Sequence, residues 1–119
     1  LFIYGIGEKL AERIIKYRNL LGGFVSKEQL GEVYYLEGLA LENLKKNVFI
    51  DANFPPQKIN LNSSSYKGII KHPYIDKELT DGIFNIRYSN DSIITHQKLK
   101  DLMSGNDSLF LVLLPYVDF

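Results

Sequence analysis

The 119 residues carry 45% apolar, 24% charged and 13% aromatic side chains, a globular composition that excludes a disordered tail or a low-complexity fibre. Fourteen basic side chains balance fourteen acidic ones. That neutrality argues against a broad surface for gripping phosphates, since such surfaces carry a positive excess. There is no Cys, hence no disulfide framework and no thiolate metal site or nucleophile.

In chain order, Leu10, Ala11, Ile14, Ile15 and Tyr17 recur at the period of a one-sided helix, which predicts a helix over 8–21. Gly22-Gly23 should end it in the left-handed conformation. Ser26-Lys27-Glu28-Gln29 reads as a capping box opening a short helix through Val33. A further helix is expected from about Leu39 to Asn47. Pro55-Pro56 interrupts helix, so 51–58 reads as a linker. Ser63-Ser64-Ser65 offers caps for a helix from Tyr66 to about Lys71, stopped by Pro73.

Sliding the sequence over itself by 69 positions pairs Ile6 with Ile75, Leu10 with Leu79, Ile14 with Ile83 and Arg18 with Arg87. It also pairs Leu30 with Leu99, Leu44 with Leu113 and Val48 with Val117. These identities fall on the apolar faces of predicted helices, which points to two copies of one helical unit. The expected organisation is 1–50, a linker over 51–58, and 59–119, with the first copy lacking its opening helix because the chain starts at Leu1. Met103 is the sole methionine, so the sequence is read as a processed or excised piece.

In the first copy, Tyr4-Gly5-Ile6-Gly7-Glu8-Lys9-Leu10-Ala11 runs from a Gly-apolar-Gly turn into a helix. Glycines at 5 and 7 permit positive φ and close backbone approach. The N–H groups of Gly5, Ile6, Gly7, Glu8 and Lys9 could then cradle a phosphate at a positive helix end. Lys9, Arg13 and Lys16 stand at i, i+4 and i+7 and would support it. The plainer reading is an ordinary tight turn followed by a solvated face, with Glu12 and Lys16 as a favourable i,i+4 pair. At the same register the second copy has Tyr74 for Gly5 and Asp76 for Gly7, with Glu78, Gly82 and Asn85 for the basic trio. Its turn is expected to be mainly architectural. The later turns, Tyr35-Leu36-Glu37-Gly38 and Ser104-Gly105-Asn106-Asp107, look eroded. Arg18, Arg87 and Tyr17 are expected to serve structure, the arginines by bridging to carbonyls or to the next helix.

The Gly-Ile-Gly turn, the following Tyr17-Arg18, Gly22-Gly23-Phe24 and Ser26-capped helix, and Ile59-Asn60-Leu61-Asn62-Ser63 together resemble the helix-hairpin-helix motif of the ComEA-like competence branch. Lys71-His72-Pro73-Tyr74-Ile75 resembles a hairpin variant of its tandem-repeat members. The resemblance implies an all-α fold of two tandem helix-hairpin-helix units. It also implies a non-catalytic, sequence-independent module for double-stranded DNA, used in DNA uptake, repair or handling. Some proteins with this hairpin also hold a monovalent cation at the turn, although no side chain here demands one.

Other chemistry has no visible support. His72 and His96 lie 24 positions apart without a carboxylate pattern for a metal, and Ser63–Ser65 have no His-acid partner for a nucleophile. No catalytic site, cofactor or small-molecule substrate is expected. The apolar run Leu109–Leu114 is too short to span a membrane, which takes about 20 residues. An all-round apolar helix should be buried between the two copies, or else serve a homodimer or a protein partner. The competing reading is therefore a protein-interaction module that kept the fold and lost DNA affinity.

Overall fold

The computed structural model describes residues 7–50, 55–90 and 92–119. The fold is all-α, and the chain divides into two units, Leu1–Pro56 and Gln57–Phe119. The linker expected over 51–58 lies partly outside the described residues. Of the rest, Gln57 and Lys58 belong with the second unit, where Lys58 Nζ stands 3.8 Å from an Asp118 oxygen. Residues 1–6 also lie outside, so the described part of the first unit begins at its first helix.

That helix, α1 (Glu8–Leu21), ends as its glycines dictate. Gly22 and Gly23 take φ of 100° and 120°, and both N–H groups donate to the Arg18 carbonyl at 3.0 Å. A 3-10 helix follows over Lys27–Glu32. Ser26 Oγ accepts the Glu28 N–H at 3.1 Å. The buried Gln29 reaches back, its oxygen accepting from Ser26 N–H at 3.2 Å and Val25 N–H at 2.7 Å. Helix α2 (Gly38–Asn47) closes the unit. Lys27 Nζ donates to the Lys45 carbonyl at 2.8 Å, supplying a partner to one of the last-turn carbonyls that a helix cannot satisfy itself.

The core of this unit is Leu30, Val33, Leu36 and Leu44, flanked by Leu10, Ile14, Tyr17 and Phe24 among others. Tyr17 stacks on Phe24 with centroids 6.3 Å apart and donates its hydroxyl to Glu32 at 2.6 Å. It is a packing residue, as its place on the apolar stripe predicts.

The second unit opens on a two-residue strand, β1 (Ile59–Asn60), then α3 (Tyr66–Ile70), α4 (Lys77–Arg87), α5 (His96–Leu102), α6 (Asp107–Leu113), and β2 (Val117–Asp118). β1 and β2 pair in parallel, Ile59 opposite Val117, and Leu61 N–H donates to the Asp118 carbonyl at 2.9 Å. This pairing joins the two ends of the unit and has no counterpart in the expected all-helical pattern. Ser65 caps α3 through Gly68 N–H at 3.0 Å. Thr95 caps α5 through Lys98 N–H at 3.2 Å.

Asn60 and Asn62 brace the entrance of this unit. Asn60 Oδ1 accepts from the N–H groups of Asn62 and Ser63 at 2.9 and 3.1 Å. Asn62 then clamps the fully buried Ile94, accepting its N–H at 2.7 Å and donating to its carbonyl at 3.0 Å. Eleven buried apolar residues, from Leu61 to Val117, make one cluster here, against four in the first unit among the described residues. By apolar burial the second unit is the sturdier.

The 69-residue register extends from side chains to elements. Glu8 and Lys77 each begin a helix, as do Lys27 and His96, and Gly38 and Asp107. The paired Leu30 and Leu99 are both buried, as are Leu44 and Leu113.

Two expectations fail. The run Leu109–Leu114 is not buried all round. Phe110 and Leu113 face the core, whereas Leu111 and Val112 are 65% and 46% exposed. A seven-residue helix turns only one side inward, so i and i+3 are covered and the residues between them are not. The two arginines also diverge. Arg87 donates to the Ser64 carbonyl at 2.6 Å, bridging as expected, and its guanidinium lies 4.3 Å from the Phe84 ring centre. Arg18 instead stays exposed, with Asn19 at 3.4 Å.

Candidate functional site

Five of the seven predicted site residues, Gly7, Glu8, Lys9, Arg13 and Lys16, lie in or at the start of α1. Gly5 and Ile6 lie outside the described residues. The first ladder bond of α1 runs from Ala11 N–H to the Gly7 carbonyl at 2.9 Å. The N–H groups of Glu8, Lys9 and Leu10 therefore precede it, and no side chain caps them among the described residues. Gly7 is exposed, and a Cβ built there would meet nothing within 4 Å.

The positive φ expected of Gly7 is not observed. Gly7 has φ −86° and ψ 178°, an extended conformation open to any residue. Its contribution is the missing side chain, which leaves the end of the helix open, and not a positive φ.

Behind this end, Lys9 and Lys16 are exposed and Arg13 is half-buried. The Glu12–Lys16 pair that the spacing favours does not form, unlike the i,i+4 pair Lys77–Asp81 on α4. Arg13 is instead held by aromatic rings. Its guanidinium carbon lies 5.0 Å from the Tyr35 centroid and 5.9 Å from that of Tyr34. The two tyrosine rings are 4.0 Å apart, centre to centre. The sequence reading puts Tyr35 at the start of an eroded turn and gives Tyr34 no role. Their adjacency was the available signal.

The equivalent end of α4 is built differently. Asp76 Oδ1 accepts the Leu79 N–H at 2.8 Å, so the helix carries its own carboxylate where α1 carries none. Asp81 accepts from Lys77 Nζ at 2.6 Å and from the Tyr66 hydroxyl at 2.7 Å. These two hydrogen bonds hold its carboxyl below the usual carboxylate range. Tyr74, Asp76, Glu78, Asp81 and Asn106 border a cleft of about 510 Å³ at this end. Its three carboxylates disfavour an anion.

Among the described residues no three His, Asp or Glu side chains converge as metal ligands. No helix there is long and apolar enough to cross a membrane.

Residues 2–49 match the family model of the helix-hairpin-helix motif. This span takes in Gly5-Ile6-Gly7, α1, the 3-10 helix and α2. No curated protein and no solved structure matches the chain.

Proposed function

We propose that the first unit is a non-catalytic, sequence-independent DNA-binding module that holds backbone phosphates at the N-terminus of α1. The helix-hairpin-helix motif is in general a nucleic-acid-binding element, and it covers this segment. The observation that carries the reading is the open N-cap at Gly7. Backbone N–H groups with no side-chain cap among the described residues stand at the positive end of a 14-residue helix, which suits a phosphate oxygen and reads no base. Lys9, Arg13 and Lys16 extend the contact along the same helix. The role this implies is DNA uptake, repair or handling, in keeping with the resemblance of Gly22-Gly23-Phe24 and the Ser26 cap to the ComEA-like branch. The second unit is a degenerate copy of the same motif with a mainly architectural turn.

The test is fluorescence anisotropy with a random-sequence duplex at rising salt. Three cationic contacts give a slope of log K against log salt of about −3. Gly7→Asp combined with Lys9→Glu abolishes the binding. If the unaltered chain shows no binding at low salt, the reading fails.

A second reading is a protein-interaction module, homodimeric or bound to another protein. Leu111 and Val112, exposed on α6, favour it, together with the zero net charge. Light scattering on the chain and on Leu111→Lys/Val112→Lys separates a dimer from a monomer.

A further inference from the structure

We infer that Tyr34 and Tyr35, with Arg13, form a stacking platform for an unpaired nucleobase, so that the preferred ligand of the first unit is DNA with a single-stranded segment. This rests on the phosphate-binding reading above and names the substrate class of that site.

The two rings are the starting point. Tyr34 is 69% and Tyr35 62% exposed, although large aromatic side chains contribute most when covered. Tyr35 is also the only non-glycine with positive φ among the described residues, at 65°. A bulky L-residue is disfavoured there and glycine is not. The turn therefore carries a cost in backbone conformation together with an uncovered aromatic pair. Packing does not explain it, because the neighbouring Leu36 fills the core beneath the turn and the tyrosines do not.

The occupant follows from what surrounds the rings. Arg13, which lies against both rings, is carried by the same helix as Lys9 and Lys16, so an aromatic pair and a cation adjoin on the first unit. A single nucleic-acid strand presents the complement, a flat base beside an anionic phosphate at every step. A guanidinium lying on a ring can still donate from its edge to a phosphate. The side-chain hydrogen bond from its neighbour Tyr35 raises the Tyr34 pKa above the ordinary phenol value, so this ring adds no negative charge near neutral pH. In a duplex the base faces are already stacked and inaccessible to the rings.

The discriminating comparison uses a random 20-nucleotide strand, with and without its complement, and a 2-aminopurine placed in the strand as a stacking probe. Charge alone favours the duplex, whose phosphates are denser, so tighter binding of the strand requires stacking. We expect the strand to bind about ten-fold more tightly than the duplex, with 2-aminopurine fluorescence quenched. Tyr34→Ser/Tyr35→Gly should lose both effects while keeping duplex affinity within about two-fold. Glycine suits the left-handed φ, so this variant retains the turn, as circular dichroism would verify. Equal or weaker binding of the strand overturns the inference while leaving the phosphate reading intact, as does a preference that survives the double variant. If neither form of DNA binds, both fall.

Discussion

Gly7 and Asp76 occupy the same N-cap position, one on α1 and the other on α4, and they treat the helix end in opposite ways. Asp76 closes α4 with its own carboxylate, 2.8 Å from the Leu79 N–H, whereas Gly7 leaves the first N–H groups of α1 without a side-chain acceptor among the described residues. The two units share a register of helices but not a surface.

Gly7→Asp should therefore copy the second unit's solution into the first. The added side chain meets no atom within 4 Å, so it fits, and as an N-cap it stabilises by a few tenths of a kcal/mol. Its carboxylate takes the place of the phosphate, and duplex affinity falls by about ten-fold or more. Urea melts and anisotropy on one sample should move in opposite directions. A loss of binding that accompanies a loss of stability would refute the assignment.

Lys9→Gln/Lys16→Gln should weaken binding to every sequence alike and flatten the salt dependence by about 2 in slope. Both side chains are exposed, so the melting temperature should stay within experimental error. An unchanged slope would place the phosphate contacts elsewhere.

Asn62→Ala removes both hydrogen bonds to Ile94, whose residue is fully buried. The abandoned N–H and carbonyl have no water to turn to, which costs about 2 kcal/mol, or roughly 10 °C in melting temperature for a unit of this size. Calorimetry would show the transition of the second unit shifting down. Asn62→Asp, which keeps the acceptor for the Ile94 N–H, should recover part of the loss.

Acid should loosen the α3–α4 contact. Asp81 is held below its ordinary pKa by hydrogen bonds from Lys77 and the Tyr66 hydroxyl. A depressed folded pKa means stability that is complete above the unfolded value of about 3.9 and lost as pH falls through the folded one. A stability profile of the second unit should decline below about pH 4, and Asp81→Asn should flatten that limb. A profile identical in the variant would show that this carboxylate contributes nothing.

Much of the chain was legible before any coordinates. The limits of α1, its glycine stop and the Ser26–Gln29 capping box follow from local rules, because each bond spans five residues or fewer. The 69-residue repeat was also visible in the sequence, since burying equivalent faces demands equivalent apolar spacing. The open helix end could be anticipated from Gly7, although for the wrong reason, positive φ where the residue is extended.

What the sequence by itself determined is thus the order, phase and ends of the first unit's helices, and the Gly7 end proposed to hold phosphate. Only the tertiary structure decided which of those helix surfaces stay open. It brought Tyr34 and Tyr35 against Arg13 and tied Asn62 to Ile94. It also paired Ile59 with Val117 and left Leu111 in solvent. The physical reason is distance along the chain. Capping and helical period are settled among near neighbours, whose geometry the backbone imposes. A contact across twenty or more residues depends on how whole faces pack, and residue type alone does not specify that.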